Sequence, residues 1–85
     1  MFLYILKSIK NNGYYIGITQ NLENRLRKHN TGQVFSTKYN KPWIVIHKEY
    51  YETRSEAFGR EKYLKSLKSR KALEKIIKAS SSSPV

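Results

Sequence analysis

Two short apolar runs open the chain. Phe2-Leu3-Tyr4-Ile5-Leu6 and Tyr14-Tyr15-Ile16-Gly17-Ile18 are rich in β-branched and aromatic residues, and Asn11-Asn12-Gly13 between them supplies turn chemistry, so the pair predicts a β-hairpin. The spacing then becomes helical. Thr19 or Asn21 can cap this helix, Leu22 and Leu26 form its apolar ridge, and Asn30-Thr31-Gly32 stops it. Gln33 to Lys41 has no period and runs into Pro42, which predicts a basic loop. Trp43-Ile44-Val45-Ile46-His47 predicts a third strand running to about Tyr51, and its near-continuous apolar start implies burial on both faces.

Thr53-Arg54-Ser55-Glu56 is a capping-box pattern, which starts a helix predicted to run to about Leu67. Ser69 caps a further helix from Arg70 to Lys78, with Leu73, Ile76 and Ile77 as its apolar stripe. Residues 79–85, with four serines and a proline, read as a flexible tail behind a single domain of residues 1–78. The order ββαβαα with short connections predicts an α+β domain, a small antiparallel sheet with helices packed on it.

Composition narrows the function classes. At 85 residues two functional domains are excluded, and seventeen Lys and Arg against six Asp and Glu give a net charge of +11, which favours a polyanionic partner. The absence of cysteine excludes a disulfide-linked partner and a thiolate zinc site, and His29 and His47 are too few for an imidazole one, so any metal is held mainly by oxygen. The apolar run at Met1 to Leu6 is too short for a membrane span or signal peptide, and no helix combines a lysine face with a Trp, Phe and Leu face. A soluble, cytoplasmic protein without a membrane partner is expected.

Three groups of residues are candidates for chemistry. Taking about 100° per residue from Leu22, His29 falls at about −20° and Arg25 at about −60°, so both flank the buried ridge. They read either as a stem packed on the core beside a satisfied buried imidazole, or as a site. On the next helix Glu61 falls at about 40° from Ala57, inside the apolar arc. A carboxylate there needs a compensating cation, and the alternatives are an ion pair with Lys65 or Lys68, a metal ion, or a raised pKa. Tyr4 and Tyr15 lie in paired strands, where aromatics commonly pack across the ladder; Gly17 marks a bulge or leaves room for another backbone.

Phe2-Leu3-Tyr4, Gly13-Tyr14-Tyr15-Ile16-Gly17-Ile18-Thr19, and Asn21-Leu22-Glu23-Asn24-Arg25-Leu26 with His29-Asn30 resemble the signature of the GIY-YIG nuclease superfamily. Pro42-Trp43, Glu49, Glu56-Ala57 and Arg60-Glu61-Lys62-Tyr63-Leu64-Lys65 are similar to small free-standing bacterial members related to the N-terminal domain of a DNA-repair excinuclease. The resemblance covers residues 2 to 75, with Phe2 where the family name has glycine and no asparagine after Asn40. It implies a three-stranded antiparallel sheet flanked by helices and a Mg²⁺- or Mn²⁺-dependent phosphodiesterase site. In that site Tyr4, Tyr15, Arg25 and His29 are catalytic and Glu61 is the metal ligand.

On this reading Glu61 with phosphate oxygens and waters would hold the ion, Arg25 would brace the non-bridging oxygens, and a tyrosine hydroxyl would serve as general base. Tyr15 is favoured for the base, with Tyr4 orienting the water and His29 assisting proton transfer. Arg27, Lys28, Lys38, Lys41, Lys65, Lys68, Arg70 and Lys71 are the candidate nucleic-acid contacts. The leading function is an endonuclease nicking damaged, branched or single-stranded DNA with little sequence preference. The alternatives are a non-catalytic nucleic-acid-binding module and an interaction protein whose charge confers solubility.

Overall fold

The computed structural model describes residues 1–67 and 69–81. Three strands, β1 (Phe2–Ser8), β2 (Tyr14–Thr19) and β3 (Trp43–Tyr50), and three helices, α1 (Leu22–Asn30), α2 (Arg54–Ser66) and α3 (Arg70–Ser81), follow in the order ββαβαα. The sheet is antiparallel with order β2-β1-β3. The α+β reading therefore holds. The first strand is central because it is apolar on both faces: Leu3 and Ile5 point one way, Tyr4 and Leu6 the other, and all four are buried.

Each face receives its own helices. Tyr4 and Leu6, with Trp43, Tyr15 and Val45, pack against Leu22 and Leu26 of α1. Leu3, Ile5 and Ile16 pack against Leu64 of α2 and Leu73 of α3, with Ile76 and Ile77 beside them. The sheet is thus a middle layer, and β2 and β3 are its two edges.

Local chemistry sets the joints. The hairpin turn closes through Asn12, the residue with positive φ, while the Ser8 hydroxyl accepts from the backbone of Lys10 and Asn11. Asn21, rather than Thr19, caps α1 by accepting from the Asn24 amide, and Gly32 at φ +80° follows the helix end. Thr53 and Glu56 form the reciprocal capping box of α2, and Ser69 accepts from the Ala72 amide at the head of α3.

One burial pattern and two boundaries differ from the sequence reading. Burial of the third strand on both faces is not observed: β3 is an edge, Ile44 is 44% exposed, and a bulge pairs Ile5 with His47 but Leu6 with Val45, so Ile46 is the extra residue. β1 runs past Leu6 to Ser8 because Lys7 and Ser8 pair with Ile44 and Trp43. α3 continues to Ser81 and takes in Ala79 to Ser81, since serine is tolerated in a helix whose apolar stripe is already docked. Residues 82–85 of the proposed tail lie outside the described residues.

Candidate active site

The α1 face of the sheet carries a buried polar chain. Tyr4 on β1 lies opposite Gly17 on β2, and a side chain at Gly17 would put its Cβ 2.6 Å from the Tyr4 hydroxyl. The glycine therefore makes room for a phenol, not for another backbone. That hydroxyl lies 3.1 Å from Nε2 of His29, and Arg25 Nε donates to it at 3.4 Å. On the other side of the imidazole, Nδ1 lies 2.8 Å from the Thr37 hydroxyl, which donates to the Val34 carbonyl.

The direction of this chain follows from its ends. A guanidinium can only donate and a carbonyl can only accept. Thr37 gives its proton to Val34 and so accepts from His29 Nδ1–H, which leaves Nε2 to accept the Tyr4 proton. Tyr15 completes the cluster with its ring 4.8 Å from the His29 ring and 6.3 Å from those of Tyr4 and Trp43. Trp43 Nε1 donates to the Thr37 carbonyl, and Asn30 both donates to and accepts from the Trp43 backbone, so the end of α1 is stitched to β3 and the loop.

Burial tunes the titrating groups. His29, Tyr4 and Thr37 are essentially inaccessible. Desolvation, reinforced by the nearby Arg25 charge, lowers the His29 pKa to about 4, so the ring is neutral at pH 7. Burial raises the Tyr4 hydroxyl above the usual phenol range, and the opposing hydrogen bond from Arg25 does not offset it. The Arg25 guanidinium is held above its usual value first by the Tyr4 hydrogen bond, with Tyr15 a smaller contributor. Tyr4 and His29 are therefore both uncharged, and Arg25 is the cation beside them.

Glu61 reaches the same region from α2, which packs along β2. Its carboxylate is close enough to Tyr4 to add to the upward shift of that hydroxyl, and Tyr15 and Lys65 line one cleft of about 360 Å³ around the β2 edge. The side chain of Glu61 is only 15% exposed, and Lys65 Nζ pairs with it at 2.9 Å. Of the two cations foreseen for it, Lys65 is the partner, while Lys68 lies outside the described residues. Among the described residues no group of three or more His, Asp and Glu gathers into a metal cage. A single carboxylate fits a divalent ion that keeps waters and takes its remaining oxygens from phosphate.

A second network orients α2. Glu49 on β3 accepts from Arg60 Nε at 3.0 Å and Nη2 at 3.2 Å, and from the Tyr51 hydroxyl at 2.6 Å, with His47 Nε2 at 2.7 Å. Burial alone would raise the Glu49 carboxyl, but these bonds outweigh it and hold it below the usual carboxylate range. Arg60 directly precedes Glu61, so this clamp fixes the turn of helix that presents Glu61.

The basic positions divide by what they touch. Arg25 and Lys28 share a polar cleft of about 420 Å³ with Arg54, a residue the sequence reading passed over because its place in a capping box hid it. Arg27 and Lys41 are exposed, and Lys38 stands in the loop that carries Thr37. Arg70 is occupied within the fold: it stacks on Tyr14 at 4.1 Å and bonds Glu74 and the Asn12 carbonyl, tying α3 to the hairpin turn. Lys71 lies with Lys75 and Lys78 along α3, on a separate cleft. Thr37 also escaped the sequence reading, because an aperiodic loop gives no signal for which hydroxyl meets the histidine.

The profile of the GIY-YIG catalytic domain matches residues 1–77. The chain belongs to the GIY-YIG family. A UPF0213 protein of Staphylococcus saprophyticus is 36% identical over 76 residues, which cover 88% of this chain and 92% of that one. A UPF0213 protein of Clostridium perfringens is 37% identical over 78 residues, covering 88% and 81%. The solution NMR structure of the UPF0213 protein BH0048 from Bacillus halodurans superposes with a TM-score of 0.60 at 26% identity, covering 92% of this chain and 82% of that one. GIY-YIG proteins form a nuclease superfamily that generally uses divalent metal ions on nucleic acid, and this chain is a small member of it. Among the described residues no helix is long and apolar enough to cross a membrane.

Proposed function

We propose that the protein is a divalent-cation-dependent DNA endonuclease that nicks damaged, branched or single-stranded DNA in the cytoplasm with little sequence preference. The observation that carries this reading is the directed chain Arg25, Tyr4, His29, Thr37, with Tyr15 against it and the Glu61 carboxylate within electrostatic reach. A purely structural polar chain would have no need of an arginine at one end and an inward carboxylate nearby.

The chemistry is hydrolysis of a phosphodiester: a water oxygen bonds to phosphorus as the bond to one bridging oxygen breaks. Glu61 would hold Mg²⁺ or Mn²⁺, which when bound supplies positive charge at the phosphate and at the leaving oxygen. With its Nε committed to Tyr4, Arg25 turns the remaining nitrogens of its fork to non-bridging oxygens, where charge develops. Tyr15, beside that guanidinium, acts as the phenolate after giving its own proton to solvent, and takes the proton of the attacking water while the departing oxygen takes one from solvent. Tyr4 keeps its own proton, donates it to neutral His29, and orients the water through its remaining lone pair. His29 accepts from the Tyr4 hydroxyl and holds it in place. Arg54, Lys28 and Arg27 at the α1 side and Lys38 and Lys41 in the loop meet flanking phosphates, so affinity falls steeply with salt.

One observation favours the binding-only reading: Lys65 already satisfies Glu61. The lysine side chain is 55% exposed, however, and its flexible stem can carry the ammonium into solvent, which leaves the carboxylate for a divalent ion. Nicking of supercoiled plasmid with Mg²⁺ or Mn²⁺, beside an EDTA control, separates the readings. Glu61→Ala should abolish cleavage while the fold stays intact. Salt-dependent DNA binding without nicking would leave a binding module, and undiminished nicking by folded Glu61→Ala would remove Glu61 from the site.

A further inference from the structure

The loop between α1 and β3 presents two aromatic rings to solvent. Phe35 is 78% and Tyr39 69% exposed, and Lys38 Nζ lies 4.7 Å from one ring centroid and 4.9 Å from the other. Scattered single aromatics on a surface call for no explanation, but two rings sharing one ammonium form a built cluster. The backbone beneath them is fixed. Thr37 bonds His29 and takes Trp43 Nε1 on its carbonyl, Lys10 Nζ donates to the Tyr39 carbonyl at 3.0 Å, and Ser8 donates to that of Asn40. A loop anchored at Thr37, Tyr39 and Asn40 yet holding its largest side chains outward is arranged to present them.

We propose that Phe35 and Tyr39 form a stacking platform for unpaired nucleobases next to the cleaved phosphodiester, with Lys38 taking the phosphate between them. Charge complementarity names the occupant: the surrounding lysines and the net charge of +11 select a polyanion, and the polyanion that also offers flat π-faces is a nucleic acid. Bases inside a duplex have those faces covered by their neighbours, so only unpaired ones fit. The ammonium does not block the rings, because a cation over an exposed ring is held less tightly than a stacked base. Displaced from the rings, it is left for the phosphate. Position links the platform to the site: Phe35 and Tyr39 are each two residues from Thr37, whose hydroxyl meets His29, so their Cα atoms lie within about 7 Å of it. This rests on the nuclease reading and narrows its substrate to DNA with single-stranded character at the cut.

The test measures binding in EDTA, apart from cleavage. Fluorescence anisotropy compares a single-stranded oligonucleotide, the same length of abasic strand and the blunt duplex, with wild type, Phe35→Ala, Tyr39→Ala and Phe35→Leu. Each alanine variant should lose between about five- and a hundredfold in affinity for the base-bearing strand and little for the abasic strand or duplex. Phe35→Leu should lose as Phe35→Ala does, because leucine keeps apolar bulk without a π-face. Equal losses on all three probes, no loss on any, or rescue by leucine would overturn the platform; rescue would point instead to an apolar protein contact. Both side chains are exposed, so unchanged thermal melting is expected and checks the fold. Ring-dependent single-strand preference without metal-dependent nicking would sink the nuclease reading alone. Nicking without that preference would sink the platform alone.

Discussion

Acid should unfold this protein through one histidine. In the fold the His29 pKa is about 4, whereas an unfolded histidine titrates near 6.5. Below pH 6.5 the unfolded chain therefore takes up a proton that the native chain refuses, and stability falls with pH. The sign is that of a depressed pKa: the contribution is complete above about 6.5, declines at up to about 1.4 kcal/mol per pH unit, and is exhausted near pH 4. A separation of about 2.5 units amounts to about 3 kcal/mol, a large part of the roughly 5–15 kcal/mol typical of a domain. Glu49, whose carboxyl is held below its usual range, adds a second loss at lower pH, beginning near the ordinary carboxylate value.

Trp43 is the chain's single tryptophan, is 5% exposed and bonds Thr37, so its fluorescence reports this corner of the fold. Urea melts of wild type and His29→Gln at steps from pH 7.5 to 4 isolate the histidine, since every other titrating group is common to both. The stability difference between them should shrink by about 2–3 kcal/mol across the window. Burial is the larger cause of the shift and Arg25 the smaller, so added salt should leave most of the slope in place. Parallel curves for the two proteins would refute the buried neutral imidazole, and with it the direction assigned to the hydrogen-bond chain.

Four substitutions test the rest of the site. Gly17→Ala should cost about 1–3 kcal/mol and impair cleavage, because its Cβ would meet the fully buried Tyr4 phenol at 2.6–2.8 Å; a variant as stable and active as wild type would mean that β2 yields freely. Arg25→Lys should fail to restore turnover in a nicking assay although charge is kept, since an ammonium reproduces neither the Tyr4 bond nor a paired grip on phosphate. Tyr15→Phe should slow single-turnover cleavage by about a hundred- to ten-thousandfold. Tyr4→Phe should slow it less but cost about 1–3 kcal/mol in a urea melt, because it leaves buried His29 Nε2 unpaired; a reversed order of rates would exchange the two tyrosines' roles.

What the sequence disclosed follows the reach of its signals. Period-2 and period-3.6 patterns and cap signals are local, and they yielded the strand and helix order, the Thr53 cap, two candidates for the α1 cap of which Asn21 is the one used, and the inward placement of His29 and Glu61. Edge and centre are not local properties. Trp43-Ile44-Val45-Ile46 reads as a buried strand, yet the bulge opposite Ile5 and Leu6 turns Ile44 outward on an edge. Serine-rich composition likewise obscured the last turn of α3, which is held by a stripe seated further back. The pairing of Tyr4 with Gly17 depends on register between strands, and that of His29 with Thr37 on a loop without period. Neither contact has a one-dimensional trace.

Burial acts on the two central groups in opposite directions on the pKa scale and to one end. It pushes the His29 ring down and the Tyr4 hydroxyl up, so both are neutral across the physiological range. A neutral pair can pass a hydrogen bond from phenol to imidazole without burying a charge. Protonating His29 would make Nε2 a donor toward Tyr4, whose oxygen already receives Arg25, and would force the Tyr4 proton to find another acceptor. The neutral ring is therefore what lets Tyr4 stand still. With these two neutral, the charges that act on Tyr4 are those of Arg25 and Glu61, the latter paired with its lysine. A lone arginine would hold a phosphate diester too simply to hydrolyse it, and a lone carboxylate would repel it. On the proposed function, a cation held at Glu61 would convert that repulsion into attraction, so the position of one carboxylate on α2, fixed by the Glu49–Arg60 clamp, would decide whether this surface binds nucleic acid or cuts it.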